Sequence, residues 1–162
     1  TKIYFPRAVL PMASVLACFF DFSIAVIVLS VLLAIFKFGV SIYILWLPVL
    51  IILLILFTAG LALFLSAANL FFRDIKYVVE IILMFGIFFT PVFYDASQFG
   101  NWQILLLLNP VGSILEAINH TVVLKEMPHL MWVGYSAASS IVMLLIGGVF
   151  FHKNEPFFAE NI

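Results

Sequence analysis

Charge is what this sequence has least of. Asp, Glu, Lys and Arg make up only 9% of its 162 residues, where a soluble domain carries roughly a quarter. Seven cations against eight acids leave a formal net charge of −1. That balance excludes nucleic acid as a partner, which calls for a basic face. The single cysteine, Cys18, lies in an apolar run. It excludes a disulfide framework and a thiolate metal site, and reads as a small buried hydrophobe. His120, His129 and His152 are too scattered along the chain for a metal site. No GxSxG, HExxH or GxxxxGK[ST] pattern occurs, and no glycine directly precedes a lysine. An enzyme is therefore not expected, nor is a cofactor bound by this chain.

Apolar residues are what the chain does have. They make up 66% of it, with a mean hydropathy of +1.29. A water-soluble chain of this length cannot hide that much apolar surface, so a bilayer must cover it. The expected fold class is all-α, a multi-pass transmembrane helical bundle forming a single domain over residues 1–162.

Spans are expected at residues 12–35, 44–68, 75–94 and 130–151. The first covers about 36 Å as a helix, enough to cross with some tilt. The third reaches spanning length only if it starts near Ile75 and continues toward Tyr94. Asp74 is its expected N-cap, and Glu80 suits the positive end of the helix. Residues 69–77 form a polar break, NLFFRDIKY, and residues 152–162 a tail.

Residues 97–125 are the irregular part. An apolar run at 102–108 is cut by Asn109-Pro110, a turn and helix-start signal. Beyond it Val111, Ile114, Leu115, Ile118 and Val122 share one helical face, while Ser113, Glu116, Asn119 and His120 share the other. Neither piece can span. Re-entrant or interfacial helices are expected, with one face toward lipid or protein and the other toward water.

Lys2, Arg7, Arg73, Lys76 and Lys153 fall on one side of this topology, and Lys37 and Lys125 on the other. The excess marks the first side as cytoplasmic, with four spans between two cytoplasmic ends. Asp21 stands inside the first apolar block, where a charge at the helix centre costs about 2.5–3.5 kcal/mol. It must face a polar cavity, find a partner or be protonated, so transport path and interhelical hydrogen bond stay open as readings. Small residues on two spans (Ala62 and Ser66, Gly134 and Ala138, and the run 136–140) read as close helix packing, within one subunit or between two. Phe88, Phe89, Phe93 and Tyr94 cluster before the irregular part. They read as lipid-facing packing residues or as a surface that guides an amphipathic cargo.

The stretch 69–95 also carries a family resemblance. An Asn followed by Phe72-Arg73-Asp74, an apolar span and then Thr90-Pro91-Val92-Phe93-Tyr94 resembles the permease subunit of ABC-2-type exporters. Within them it is most similar to the branch handling O-antigen, capsule and teichoic acid precursors. Tyr4-Phe5-Pro6-Arg7 with Leu10-Pro11, then Leu108-Asn109-Pro110, and the tail Glu155-Pro156-Phe157-Phe158-Ala159-Glu160 agree in order and spacing.

The resemblance implies a bacterial inner-membrane permease for a lipid-linked polysaccharide, paired as a homodimer. A separate ABC ATPase subunit would use the ATP. Asn69, Arg73, Asp74 and Lys76 would form the ATPase-coupling loop. Asp21 and the four aromatics are the candidate transport path, and Asn109, Pro110, Glu116 and Asn119 the outer gate. The chain opens on Thr1, and the family carries an amphipathic helix and two further spans before this point, so a C-terminal fragment is expected. Rival readings are a permease for a drug or small lipid, a purely structural membrane subunit, and a membrane enzyme acting on lipid-linked sugars. For the enzyme, only Asp95, Glu116 and His120 approach the required cluster.

Overall fold

A computed structural model describes residues 8–36, 39, 41–72, 74–91 and 96–155. These are mostly helical, with no strand among them. Three helices are long and apolar enough to cross a membrane. The molecule is an all-α membrane protein.

Helix α1, Val9–Ile35, is an almost unbroken apolar run. Its few hydroxyls are harmless because Ser14, Ser23 and Ser30 donate to the carbonyls of Leu10, Phe19 and Val26. A polar group turned back on its own helix needs no water. A 3-10 turn at Ile42–Trp46 leads into α2, Leu47–Phe71. Pro48 lies in its first turn, where the missing N–H costs nothing. Helix α3 covers Ile75–Gly86 and continues as a 3-10 turn, Ile87–Phe89. Helix α6, Leu130–Asn154, closes the described chain.

The centre of the bundle is the pair α2 and α6. Near one end Leu50 and Leu53 pack with Val133, and near the other Leu63 and Ala67 pack with Phe151. Contacts therefore climb together along both helices, which run parallel. At the crossing two glycines meet: a Cβ on Gly147 would collide with the carbonyl oxygen of Gly60. A Cβ on Gly60 would strike the backbone of Met143 and Leu144. Without a strong hydrophobic drive between helices in lipid, this backbone approach is what association rests on. Phe64 and Phe150 stack at 5.0 Å beside it.

The small residues of α6 divide between the inside and the outside of the bundle. Gly134 and Ala138 face outward, and a Cβ on Gly134 would meet nothing within 4 Å. Ser136 and Ser140, from the run 136–140, are the buried ones.

Parallel packing of α2 and α6 has a topological consequence. The chain between Phe71 and Leu130 must return to the side on which α2 began. Helix α3 provides the rise, about 18 Å for its twelve residues.

On α1 and α3 most of the apolar surface is bare. No residue of α1 or α3 is buried. Two grooves run between α1 and α2. The larger, about 630 Å³, reaches from Phe22 and Val26 to Ile118 and Asn119. The other, about 450 Å³, has Cys18 in its wall. Cys18 is exposed there and not a buried core residue, because the groove between the two helices is unfilled.

Candidate gate junction and coupling corner

Two proline-marked breaks, one before the irregular stretch of sequence and one within it, meet in space. The first is Thr90-Pro91, where α3 and its 3-10 extension end. Thr90 Oγ1 donates to the Gly86 carbonyl at 2.8 Å, and both Thr90 and Pro91 are buried. The second is Asn109-Pro110, where a short helix gives way to a longer one. A 3-10 segment, Ala96–Trp102, kinks at Gly100 and feeds α4, Gln103–Leu107. Gly100 takes φ 52°, a left-handed conformation that a side chain would strain. Helix α5 then covers Pro110–Asn119 and widens into a π turn at His120–Leu124.

Asn109 joins these parts. Its Oδ1 accepts from the Val111 N–H at 3.1 Å, the N-cap of α5, with Pro110 following at the first helical position. Its Nδ2 donates to Thr90 Oγ1 at 3.3 Å. Tyr135 on α6 donates its hydroxyl to the Leu108 carbonyl at 2.6 Å, satisfying backbone freed by the break. Gly112 fits the corner tightly: a Cβ there would lie 2.7 Å from the Leu106 carbonyl oxygen and 3.3 Å from Pro91.

Helix α5 buries part of its polar face together with Ile114 and Ala117. Ser113 and Glu116 are buried at 1% and 6% exposure, while Val111, Leu115, Ile118 and Val122 are only half-buried. The expectation of a water-facing polar side is therefore reversed at Ser113 and Glu116. Ser113 Oγ and Ser136 Oγ share a hydrogen at 2.5 Å. Whichever donates, the other reaches a carbonyl of its own helix, Pro110 or Trp132. In a protein surrounded by lipid, burying polar groups against each other is the favourable arrangement. The apolar run before the break does the opposite: Trp102, Ile104, Leu105 and Leu108 are exposed, and only Leu107 is buried.

Glu116 and His120 do come together, Oε1 to Nε2 at 3.6 Å. Asp95, the third member of the enzyme reading, lies outside the described residues. Among the described residues no group of three or more His, Cys, Asp or Glu could hold a metal. Asn119 is half-buried at the end of α5, beside the larger groove.

The expected coupling loop at 69–77 is a tight corner. Asn69 is exposed in the last turn of α2, and Lys76 and Tyr77 are in the first turn of α3. The Ile75 N–H donates to the Phe72 carbonyl across the corner. Asp74 holds the N-cap position, but its side chain makes no cap hydrogen bond. Lys76 Nζ instead sits 4.8 Å over the Tyr77 ring, an exposed cation–π contact. Arg73 lies outside the described residues.

Of the candidate transport path, Asp21 is exposed on α1, with no ion pair among the described residues. Phe88 and Phe89 are exposed at the end of α3. Phe93 and Tyr94 lie outside the described residues. The structure brings Thr90, Pro91, Asn109, Gly112 and Tyr135 together, and the sequence had marked only some of them. Tyr135 carries no local sign of its role, because nothing in its neighbourhood announces a carbonyl 27 residues away.

Comparison with known proteins agrees with this architecture. Residues 3–123 match the family model of the ABC-2 type transporter. An O-antigen export system permease protein RfbA from Myxococcus xanthus is 28% identical over 165 aligned positions, covering all of this chain and 64% of the relative. Two proteins of the same name from Klebsiella pneumoniae are each 26% identical, covering 98% of this chain and 62% of each relative. The chain thus spans just under two thirds of the curated relatives it matches. No solved structure matches it. With three membrane-length helices and a family match over most of its length, the chain belongs to the ABC-2 type transporters.

Proposed function

We propose that this chain is part of the membrane-spanning permease of an ATP-driven exporter that moves a lipid-linked polysaccharide across the bacterial inner membrane. The observation that carries the reading is similarity, along nearly all of this chain, to permeases named for O-antigen export. The family implies an ABC ATPase partner. The absence of a GxxxxGK[ST] pattern in the sequence supports placing ATP hydrolysis on that separate subunit, and this chain then needs no cofactor of its own.

In this reading the chain crosses the membrane four times, with α3 and the residues after it as the third crossing. The corner between α2 and α3 faces the ATPase. Its short, hydrogen-bonded geometry supports a coupling role, because a push on a stiff corner moves both helices and a slack loop would absorb it. The α4–α5 hairpin closes the outer mouth of the path, and the junction at Asn109 fixes its angle. Bare apolar faces on α1 and α3 are available to lipid, to the rest of the permease or to a second copy in a homodimer. Asp21 and the Phe88–Phe89 pair lie on those faces and line the path in the assembled exporter.

Charge reversal at Arg73 and Asp74 tests the coupling. The double variant is expected to insert normally, yet lose export and cargo-stimulated ATP hydrolysis by at least about tenfold, a barrier change of about 1.4 kcal/mol. Normal export with the ATPase bound would leave the corner a lipid anchor only.

A further inference from the structure

The turn that follows α5 gathers titratable side chains that the export reading does not use. Glu116 is buried, and its Oε2 has no hydrogen-bond partner. Its Oε1 lies 3.6 Å from His120 Nε2. The other ring nitrogen, His120 Nδ1, lies 3.9 Å from Oε2 of the exposed Glu126. One imidazole therefore stands between two carboxylates, at ion-pair separations longer than hydrogen bonds. The backbone repeats the link: Lys125 takes φ 59°, and the Glu126 N–H donates to the His120 carbonyl at 2.9 Å. Beside the orphaned Oε2 is a cavity of about 10 Å³, walled by Gln103, Ser113, His129 and Trp132. That is room for about one water molecule.

The chemistry of the ring decides what this arrangement can do. A neutral imidazole has one N–H and one bare nitrogen, whereas an imidazolium has two N–H donors. Between two carboxylates the neutral ring can favour only one, and it turns a lone pair toward the other. The charged ring attracts both. We propose that Glu116, His120 and Glu126 form a proton-dependent clasp fastening the loop before α6 to the end of α5. The clasp is closed while His120 holds its proton and released when the proton is lost.

Among the described residues, little else nearby competes for this role. Helices α2 and α4 and the segment Ala96–Trp102 bring no charged or titratable side chain, as their sequences show. Helix α6 adds Tyr135, whose hydroxyl is already committed to Leu108. The 3-10 turn before α2 adds Tyr43. The loop itself adds Lys125 and His129, whose ring stands edge-on to His120 at 5.4 Å. Histidine is the side chain that changes charge near neutral pH. Acid therefore fastens the loop before α6 to the end of α5, and alkali frees it.

A nitroxide at position 127 reads this directly, since Met127 is exposed and adjoins Glu126. The full-length permease is assembled with its ATPase in lipid nanodiscs, in a Cys18→Ala background carrying Met127→Cys. The mobile fraction of the spectrum is expected to rise at least about twofold from about pH 5.5 to about pH 8. His120→Gln should give the mobile spectrum at both. Glu126→Gln changes an exposed residue that folding does not need, and should at least halve the pH step. Equal spectra at the two pH values would overturn the clasp, as would a step that survives undiminished in Glu126→Gln. No cargo takes part in the measurement, so its failure and the failure of the export reading are separable.

Discussion

Helices α3 and α6 are both strongly apolar, yet they do opposite things. Every turn of α6 has a partner: Val133 on the α2–α5 cluster, Ser136 on Ser113, Gly147 on Gly60, Phe151 on Ala67. Helix α3 buries nothing, and Ile81, Ile82, Leu83, Met84 and Phe85 are all more than half exposed. The difference lies in their small and polar residues. In lipid a leucine gains little by leaving the acyl chains for another helix. Glycine lets backbones touch, and serine buries a hydroxyl against another. Helix α6 has both along one face, whereas α3 has a single glycine near its end, with nothing within 4 Å of it. Within this chain α6 is a packing helix and α3 a surface.

The sharpest way to break that contrast is to add a methyl at the crossing. Gly147→Ala forces a Cβ into the Gly60 carbonyl, and overpacking of this kind costs about 1–3 kcal/mol. Gly134→Ala, on the same helix but in open space, should cost nothing. Thermal unfolding of the two variants in detergent would compare them, and equal behaviour would remove the glycine contact as the basis of the pair.

A smaller loss is expected at the junction. Asn109→Ala removes the α5 cap and the bond to Thr90 together, about 1 kcal/mol for the cap alone. Asn109→Asp keeps the accepting oxygen but not the Nδ2 donor, and should recover most of it. The same unfolding assay reads both variants, and an undiminished loss in Asn109→Asp would move the weight from the cap to the Thr90 bond.

The smallest effect belongs to α3. Leu83→Ala and Met84→Ala should change stability of this chain by less than about 0.5 kcal/mol. A large loss confined to the complete exporter would show that another helix or a second copy covers this face.

The contrast also shows what the sequence could reveal. Apolar runs at 12–35, 44–68 and 130–151 stand beside helices Val9–Ile35, Leu47–Phe71 and Leu130–Asn154, since in lipid an apolar run has no other way to satisfy its backbone. Asn109-Pro110 announced its helix start because cap and proline act locally. Contacts between helices stayed hidden. Hydropathy alone does not separate α3 from α6, and Gly60 and Gly147 meet only because two crossing helices bring them together. The polar side of α5 read as a wet surface by the logic of soluble helices. Beside lipid that logic inverts for a face that another helix covers, and Ser136 lies 23 residues away. Asp74 shows the same limit on a small scale: its position was a cap, and its side-chain geometry is not.

Everything proposed for the corner and the hairpin requires that they lie on opposite sides of the bilayer, joined by one net crossing. Single cysteines at positions 76 and 125, in a Cys18→Ala background of the assembled exporter, test this with a membrane-impermeant maleimide. Intact cells should label Lys125→Cys alone, and inverted membrane vesicles Lys76→Cys alone. Labelling of both from the same side would contradict the crossing, and with it the assignment of one region to coupling and the other to the gate.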